Sequence, residues 1–149
     1  MKYAAYGSNM NLEQMAYRCP NSKVAGIGFI NDYELVFKFH ADIVPRSGKC
    51  VPVVLFDIAE EDWASLDRYE GFPRYYTTEI VDVLNDDGNT EKCIVYVMTE
   101  KKGVDYILPT STYYRGIVNG YYENKLNDYL YILKNSLHKT MIREGLPVD

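Results

Sequence analysis

The chain is 149 residues long, which fits one domain with a single hydrophobic core. Hydrophobic residues make up 47% of it and charged residues 25%, fractions that are typical of a globular protein. The net charge is −5 and Lys and Arg form no cluster, which argues against a nucleic-acid-binding surface.

The N-terminal residues and the cysteines indicate a cytoplasmic protein. The chain passes from Met1 and Lys2 directly into a Tyr- and Ala-rich segment, which leaves no room for the apolar core of a signal peptide, and no segment has transmembrane length. Cys19, Cys50 and Cys93 are odd in number, far apart and outside any CxxC or Cys/His spacing. We therefore expect reduced thiols, no metal site and no membrane association.

The first predicted element is a short strand at residues 2–6, ended by the turn-forming residues Gly7-Ser8-Asn9. Asn11 is then a candidate helix N-cap with Gln14 reaching back to it, and Cys19-Pro20 ends that helix. Backbone N–H groups in such a strand–loop–helix corner can converge on an anion or a carbonyl oxygen. The alternative is that the three residues form only a turn that binds nothing, which is the more common case for such a sequence.

A hairpin is predicted next, with strands at residues 23–30 and 33–39 joined by a turn at Asn31-Asp32. Residues 40–48 contain Pro and Gly and show no periodicity, so we expect a loop there that could cover a site as a mobile flap. His40 at the start of this segment is either a catalytic candidate or, as for most single histidines at strand ends, structural or exposed.

The most apolar segment, residues 50–58, is predicted to be a central strand that is covered on both faces. It leads into a helix predicted from about Glu61 to Glu70, with acidic residues in its first turn and a glycine just past its end. Trp63, Leu66 and Glu70 share one face of this helix. The two apolar residues make that face the buried one.

Glu70 is therefore predicted to lie at the core-facing end of a helix. Lost hydration and the negative end of the helix dipole both disfavour its charged form there, so its pKa should be raised. A carboxyl group that titrates near neutral pH is a candidate general base or acid. The alternative is that Glu70 bends out to solvent at a frayed helix end.

The last predicted hairpin consists of residues 74–84 and 92–98, joined by a turn at residues 85–88. Five or six strands that are mostly antiparallel and locally paired predict a small barrel or a strongly curled sheet. Two helices follow, one starting after Thr110 or Ser111 and stopping at Asn119-Gly120, the other at residues 123–139. We expect one α+β domain over residues 1–149: a small mixed, mostly antiparallel β-barrel with flanking helices.

Two segments of the chain carry a resemblance to a known family. They are the loop Tyr6-Gly7-Ser8-Asn9-Met10 and the helix end Leu66-Asp67-Arg68-Tyr69-Glu70-Gly71, followed by Tyr76 and by Tyr96-Val97-Met98. In this order they resemble the γ-glutamylcyclotransferase family, including its AIG2-like and γ-glutamylamine cyclotransferase branches. That family has a YGSN-type loop near the N-terminus and an LDxxEG-type segment in mid-chain. The resemblance extends roughly from residue 2 to residue 126.

The resemblance implies a compact mixed barrel with a cavity between the loop and Glu70. It also implies a reaction in which the substrate's own α-amine attacks its γ-carbonyl, releasing 5-oxoproline and the amine that was attached. Such an enzyme needs no nucleophile, in keeping with a chain that lacks a Ser/His/Asp or Cys/His signature. The implied catalytic residue is Glu70, which carries a proton from the attacking to the leaving nitrogen. The implied substrate-binding residues are Tyr6, Gly7, Ser8, Asn9 and Tyr76.

Several roles stay open at the level of sequence. The loop N–H groups can bind either the substrate's α-carboxylate or the developing oxyanion. Tyr76 can bind substrate, orient Glu70 or only pack; spacing favours it over Tyr75 as the residue that faces the site, since alternation sends one of the two inward. Arg46 and Arg74 are candidate partners for a substrate carboxylate by charge alone.

The expected partner is a small γ-glutamyl molecule whose amine the sequence does not identify. We expect no cofactor, no nucleic acid and a monomer or weak homodimer. The alternative function is a non-catalytic module that holds a small molecule or a peptide terminus in the same cavity. Such a module would not need Glu70 to be ionisable.

Overall fold

The structure is a computed structural model that describes residues 1–99 and 106–145. Within these ranges the strands are Lys2–Ala5 (β1), Lys23–Lys38 (β2), His40–Asp57 (β3), Tyr76–Asn85 (β4) and Thr90–Met98 (β5). The helices are Leu12–Arg18 (α1), Trp63–Glu70 (α2), Ser111–Glu123 (α3) and Leu130–Arg143 (α4). Short 3₁₀ turns at Ser8–Met10, Glu60–Asp62 and Asn127–Tyr129 precede α1, α2 and α4.

The five strands of the described residues form a closed barrel in the order β1-β3-β2-β4-β5. Neighbouring strands are antiparallel except β1 and β5, which pair in parallel and close the barrel, with Lys2 opposite Cys93. The prediction of a mixed, mostly antiparallel barrel with flanking helices is therefore confirmed. The second half of β3 is buried on both faces from Val51 to Phe56, as predicted for the central strand.

The predicted hairpin turn at Asn31-Asp32 is wrong, because β2 runs through it as a bulge. Asp32 takes a left-handed conformation with φ 64°, and its Oδ1 accepts a hydrogen bond of 3.0 Å from the backbone N–H of Gly48 across the hairpin. The turn lies instead at Phe39, which also has a positive φ of 69° and joins the paired residues Lys38 and His40.

The predicted flap at residues 40–48 is consequently also wrong. These residues are the first half of β3, and those from His40 to Pro45 pair with β2, for example Val44 with Glu34. Pro45 does not break the strand because it lies opposite Tyr33, directly beside the bulge, where a missing N–H is tolerated. The segment is a rigid wall of the hairpin rather than a loop.

The predicted end of the first C-terminal helix is wrong as well. Thr110 caps α3 as predicted, with its Oγ1 accepting from the N–H of Tyr113 at 3.2 Å, but the helix continues past Gly120 to Glu123. Gly120 does not serve as a stop signal. It is the point of closest approach between α3 and the N-terminal loop, where a Cβ would lie 2.8 Å from the Cβ of Met10.

The last helix also differs from its prediction in where it begins. The chain turns at Lys125, which has a φ of 59°, so α4 starts at Leu130 rather than at residue 123. Leu126 and Leu133 of the predicted leucine stripe are fully buried. The helix packs mainly on β2.

Candidate active site

Glu70 is the last residue of α2, and the helix end that carries it is firmly capped. Gly71 adopts the left-handed conformation with φ 67° and donates its N–H to the carbonyl of Arg68, while the N–H of Phe72 bonds to the carbonyl of Asp67 at 2.9 Å. Leu66 is fully buried one turn earlier and fixes the rotation of the helix. Glu70 is half-buried, so it does not lie at a frayed end in solvent.

The N-terminal loop meets Glu70 directly through Asn9. The buried Asn9 side chain donates from Nδ2 to Oε1 of Glu70 at 3.1 Å and to the hydroxyl of Tyr3 at 2.9 Å. Its Oδ1 accepts a short hydrogen bond from the guanidinium of Arg18. The preceding residue Ser8 forms a hydrogen bond of 2.9 Å with the hydroxyl of Tyr69, so two adjacent loop residues are tied to α2.

The loop also presents backbone donors. Ser8–Met10 form a single 3₁₀ turn in which the N–H of Met10 and of Asn11 bond back to the carbonyls of Gly7 and Ser8, at 3.0 and 3.1 Å. Among the described residues, nothing accepts the N–H groups of Gly7, Ser8 and Asn9. Three unpaired N–H groups at the start of a turn are suited to an anionic oxygen.

A cavity of about 200 Å³ lies between the loop and the end of α2. It is lined by Tyr3, Tyr6, Gly7, Ser8, Asn9, His40, Tyr69, Glu70, Tyr76, Tyr96 and Tyr113. All six site residues predicted from the sequence are therefore brought together in one place. The volume is smaller than the roughly 300–1,000 Å³ of pockets for drug-sized ligands, so the cavity suits a ligand of about the size of one amino acid.

The tyrosine hydroxyls around the cavity are held by the backbone. The Tyr6 hydroxyl donates to the carbonyl of Tyr96 and the Tyr76 hydroxyl to the carbonyl of Ala41, both at 2.6 Å. Tyr113 instead accepts from the N–H of Ala41 at 3.0 Å, which leaves its own proton free of the described residues. Burial raises the pKa of all three phenols, so they stay neutral near pH 7 and act through hydrogen bonds.

Tyr75 and Tyr76, at the start of β4, differ in their exposure and in their contact with the cavity. Tyr75 is 63% exposed, and the Arg74 guanidinium lies 5.4 Å from its ring centroid. Tyr76 is half-buried and lines the cavity, the orientation that spacing favours. Arg46 is not brought to the cavity, since it pairs with Glu34 at 3.3 Å on the β2–β3 hairpin.

Electrostatics single out Glu70 among the residues of the cavity. Burial raises the pKa of its carboxyl group to about 7, and the Arg18 guanidinium opposes part of that rise. His40 packs edge-on against Tyr113 with ring centroids 5.0 Å apart, and loss of hydration lowers its pKa. Near neutral pH, Glu70 can therefore both accept and return a proton.

Arg18 and Tyr113 are site residues that the sequence does not reveal. Arg18 ends α1, where its guanidinium lies 3.4 Å from the ring centroid of Tyr69 and donates to Gln14 at 2.9 Å. The side chain of Gln14 therefore bonds to Arg18 and does not reach back to Asn11. Asn11 still caps α1, because its Oδ1 accepts a hydrogen bond of 3.1 Å from the backbone N–H of Gln14. No local pattern marks Arg18 or Tyr113, because only the closed barrel brings α1 and α3 to the end of α2.

The Arg18→Gln variant should raise the pKa of Glu70 above its wild-type value, since it removes the positive charge that favours the carboxylate. A ¹³C NMR titration of Glu-labelled protein measures this directly, with Arg115→Gln on the exposed side of α3 as the control. A pKa of Glu70 that is unchanged in Arg18→Gln would contradict the role of Arg18. A wild-type Glu70 with the pKa of an exposed carboxyl would favour a non-catalytic binding module.

Within the described ranges, no group of His, Cys, Asp and Glu side chains could hold a metal ion, and no helix is long and apolar enough to cross a membrane. Cys19, Cys50 and Cys93 form no disulfide with one another.

Comparisons with known proteins agree with this geometry. The family model described as "Gamma-glutamyl cyclotransferase, AIG2-like" matches residues 3–116. The comparison with curated proteins found no match. One similar solved structure is named Gamma-glutamyl cyclotransferase; it superposes with a TM-score of 0.78 at 23% identity, over 100% of this chain and 89% of that one.

Two further solved structures share the fold. The uncharacterized protein loc79017 from Homo sapiens has a TM-score of 0.76 at 24% identity, covering 99% of this chain and 88% of that one. YkqA from Bacillus subtilis has a TM-score of 0.74 at 23% identity, covering 92% of this chain but 55% of that one. At these identities the structures show the fold alone. The family model covers well over half of the sequence, and the chain therefore belongs to the γ-glutamyl cyclotransferase, AIG2-like family, which indicates a cyclotransferase-type activity.

Proposed function

We propose that this protein cleaves a γ-glutamyl amide by intramolecular attack of the substrate's α-amine on its γ-carbonyl, releasing 5-oxoproline and a free amine. Glu70 is the general acid and base of this reaction. The observation that carries the proposal is the environment of Glu70: a half-buried carboxyl group with a pKa of about 7, bonded to Asn9, in a cavity that suits one glutamyl group.

In this reaction Glu70 moves one proton between two nitrogen atoms. The α-ammonium of the substrate gives a proton to the Glu70 carboxylate, and the free amine then attacks the γ-carbonyl carbon to close a five-membered ring. The Glu70 carboxylic acid returns the proton to the leaving nitrogen as the bond between that nitrogen and the γ-carbon breaks. The ring nitrogen loses its second proton to water as the lactam forms, and the released amine takes up a proton from water. Glu70 ends as a carboxylate, so protons balance over the cycle. A pKa near the working pH suits both halves of this exchange.

The negative charge that develops on the γ-carbonyl oxygen needs preorganised donors. The backbone N–H groups of Gly7, Ser8 and Asn9 are candidates, together with the hydroxyl proton of Tyr113. The substrate's α-carboxylate needs donors of the same kind. We assign the loop and Tyr113 jointly to these two anionic groups.

Tyr6 and Tyr76 can accept hydrogen bonds from a ligand but cannot donate them. Each commits its hydroxyl proton to a backbone carbonyl, so that only lone pairs of its oxygen remain for a ligand. Lone pairs suit an ammonium group, which makes these two tyrosines binding residues for the substrate's α-amine before it is deprotonated. Asn9 holds the Glu70 carboxyl group in place through its 3.1 Å hydrogen bond.

The direct test is to mix the wild-type protein with γ-glutamyl amino acids, glutathione, γ-glutamyl-lysine and γ-glutamylamines, and to quantify the products by chromatography. We expect 5-oxoproline and the free amine in equal amounts from at least one of these substrates. The same substrate with an acetylated α-amine should not react, since its nitrogen cannot attack. Release of glutamate instead of 5-oxoproline would indicate a hydrolase, and no product from the whole panel would overturn the proposal.

A further inference from the structure

A second, wider cavity of about 780 Å³ opens on the outer side of Glu70. It shares His40, Tyr69, Glu70 and Tyr76 with the inner cavity among the described residues. Its own walls come from the end of α2 and from the neighbouring ends of β4 and β5, and include Arg68, Arg74, Tyr75, Met98 and Thr99. Glu70 therefore stands at the junction between a small inner cavity and a large outer one.

The junction defines which part of a substrate each cavity receives. The inner cavity holds the loop donors and the tyrosines proposed for the glutamyl group, and it has room for little else. Glu70 must reach both the attacking and the leaving nitrogen, so the scissile amide lies beside it. The group attached to the leaving nitrogen then extends into the outer cavity.

The outer cavity has a distinct charge. Among the described residues that line it alone, the charged side chains are Arg68 and Arg74. Both are exposed, and neither lies within 4.0 Å of a carboxylate of the described chain. Within the part of the chain that the structure describes, these two guanidinium groups therefore offer positive charge at the opening without an ion-pair partner, beside the carboxyl group of Glu70 at the junction.

We propose that the outer cavity is the subsite for the leaving amine, and that Arg68 and Arg74 select γ-glutamyl substrates whose amine carries a carboxylate, such as γ-glutamyl amino acids and peptides. This inference rests on the proposed function and specifies its substrate class. A guanidinium binds a carboxylate through paired N–H groups, whereas it repels an ammonium. The apolar faces of Tyr75 and Met98 would cover the side chain of the departing amino acid.

The expected preference is moderate because both arginines are exposed. Ion pairs at such sites are screened by water and salt, so we expect about a tenfold advantage in kcat/KM for the anionic substrate rather than an absolute requirement. The advantage should shrink as the salt concentration rises. A preference based only on the shape of the leaving group would not depend on salt.

The test compares substrates that differ in charge at one position. γ-Glutamyl-alanine carries a carboxylate on its leaving amine. γ-Glutamyl-alaninamide replaces this carboxylate with a neutral carboxamide of nearly the same shape. The third substrate, in which the γ-carboxyl group of glutamate is joined to one nitrogen of 1,4-diaminobutane, carries an ammonium instead. We expect 5-oxoproline release in this order of kcat/KM at low salt. The double variant Arg68→Gln/Arg74→Gln should bring the first two substrates to within about twofold, mainly by slowing the anionic one.

Arg115→Gln is the matched control, because Arg115 is also an exposed arginine but lines neither cavity. It should keep the wild-type preference. The proposal is overturned if wild type turns over the amide or the cationic substrate as well as the anionic one, or if the double variant retains the preference. The proposed function fails separately, and this inference with it, if none of the three substrates yields 5-oxoproline.

Discussion

The Glu70→Gln variant is expected to lose turnover by about 10²–10⁴-fold while still binding substrate. The amide keeps the shape of the carboxyl group and can still accept the hydrogen bond from Asn9, so the cavity should not change. It cannot take a proton from the α-ammonium or return one to the leaving nitrogen. Single-turnover assays of 5-oxoproline release measure the loss, and calorimetric titration with the slow variant measures binding.

The pH dependence of kcat/KM in the wild type should follow the titration of Glu70. Because Glu70 must begin as a carboxylate and burial raises its pKa to about 7, kcat/KM should fall as the pH drops through that value. Glu61→Gln provides the control, since Glu61 is an exposed carboxylate in the 3₁₀ turn before the same helix. A Glu70→Gln enzyme that retains more than about a tenth of wild-type kcat would rule out general acid–base catalysis by Glu70.

The free energy of unfolding of Glu70→Gln shows whether the variant loses activity through its chemistry or through unfolding. Burial raises the pKa of Glu70 from 4.5 to about 7, so between these values the folded chain keeps a proton that the unfolded chain releases. Folding stability therefore falls as the pH rises through this window, and the cost stays constant above it. Glu70→Gln avoids the cost and should be more stable than wild type at alkaline pH, by on the order of 1–3 kcal/mol after allowance for partial exposure. The difference should vanish at acidic pH.

The Gly120→Ala variant is expected to lower the free energy of unfolding by about 1–2 kcal/mol, although alanine favours helices. The added Cβ would lie 2.8 Å from the Cβ and 2.9 Å from the carbonyl carbon of Met10, and 3.0 Å from the backbone nitrogen of Asn11. Backbone atoms cannot rotate away, so α3 and the N-terminal loop must separate. Urea denaturation measures the change, and a fall in kcat/KM should accompany it because the same loop carries Asn9.

Gly116 offers a matched control one turn earlier in α3. A Cβ at this position meets only the Nε2 end of Gln14 at 3.3 Å, which is a flexible side chain that can move. Gly116→Ala should therefore be neutral or stabilise the protein by up to about 1 kcal/mol through the lower entropy of the unfolded chain. If both variants destabilise equally, close packing at Gly120 is not the cause.

Those parts of the fold that depend on neighbouring residues were predictable from the sequence. The Asn11 cap, the glycine that ends α2 and the turn after Asn85 each follow from the chemistry of a few adjacent side chains, and the structure contains all three. The burial of residues 51–56 follows from an unbroken apolar run. These local features were enough to predict the barrel, whereas the meeting of the N-terminal loop with Glu70 was expected from the family resemblance.

The turn of the long β2–β3 hairpin was mispredicted because two positions, Asp32 and Phe39, both adopt a left-handed conformation and only one of them is the turn. Asp32 tolerates a left-handed conformation far better than Phe39 does, so the residue types favour a turn at Asp32. Both residues are left-handed in the structure, but one forms a bulge and the other the turn. The choice depends on the pairing register along the whole hairpin, which no short window contains.

The same limit applies to the site. Arg18 and Tyr113 contribute to it only because the barrel brings α1 and α3 beside the end of α2. Gly120 was predicted to end the helix because glycine is common at helix ends. In the structure it is needed instead for close packing against the backbone at Met10, which lies 110 positions away in the sequence. A glycine of this kind cannot be distinguished from a terminator without knowing what packs against it.

The parallel pairing of β1 with β5 also has a consequence for how the protein is made. β1 is the first of the five strands to be synthesised, yet its partners include Val54 and Cys93, so it must wait for most of the barrel before it can dock. Contacts between residues so distant in sequence form slowly and late. The loop that carries Asn9 follows β1 directly, so we expect the proposed site to form in a nascent chain only after β1 has docked. The proposed activity should therefore appear only when the barrel is complete.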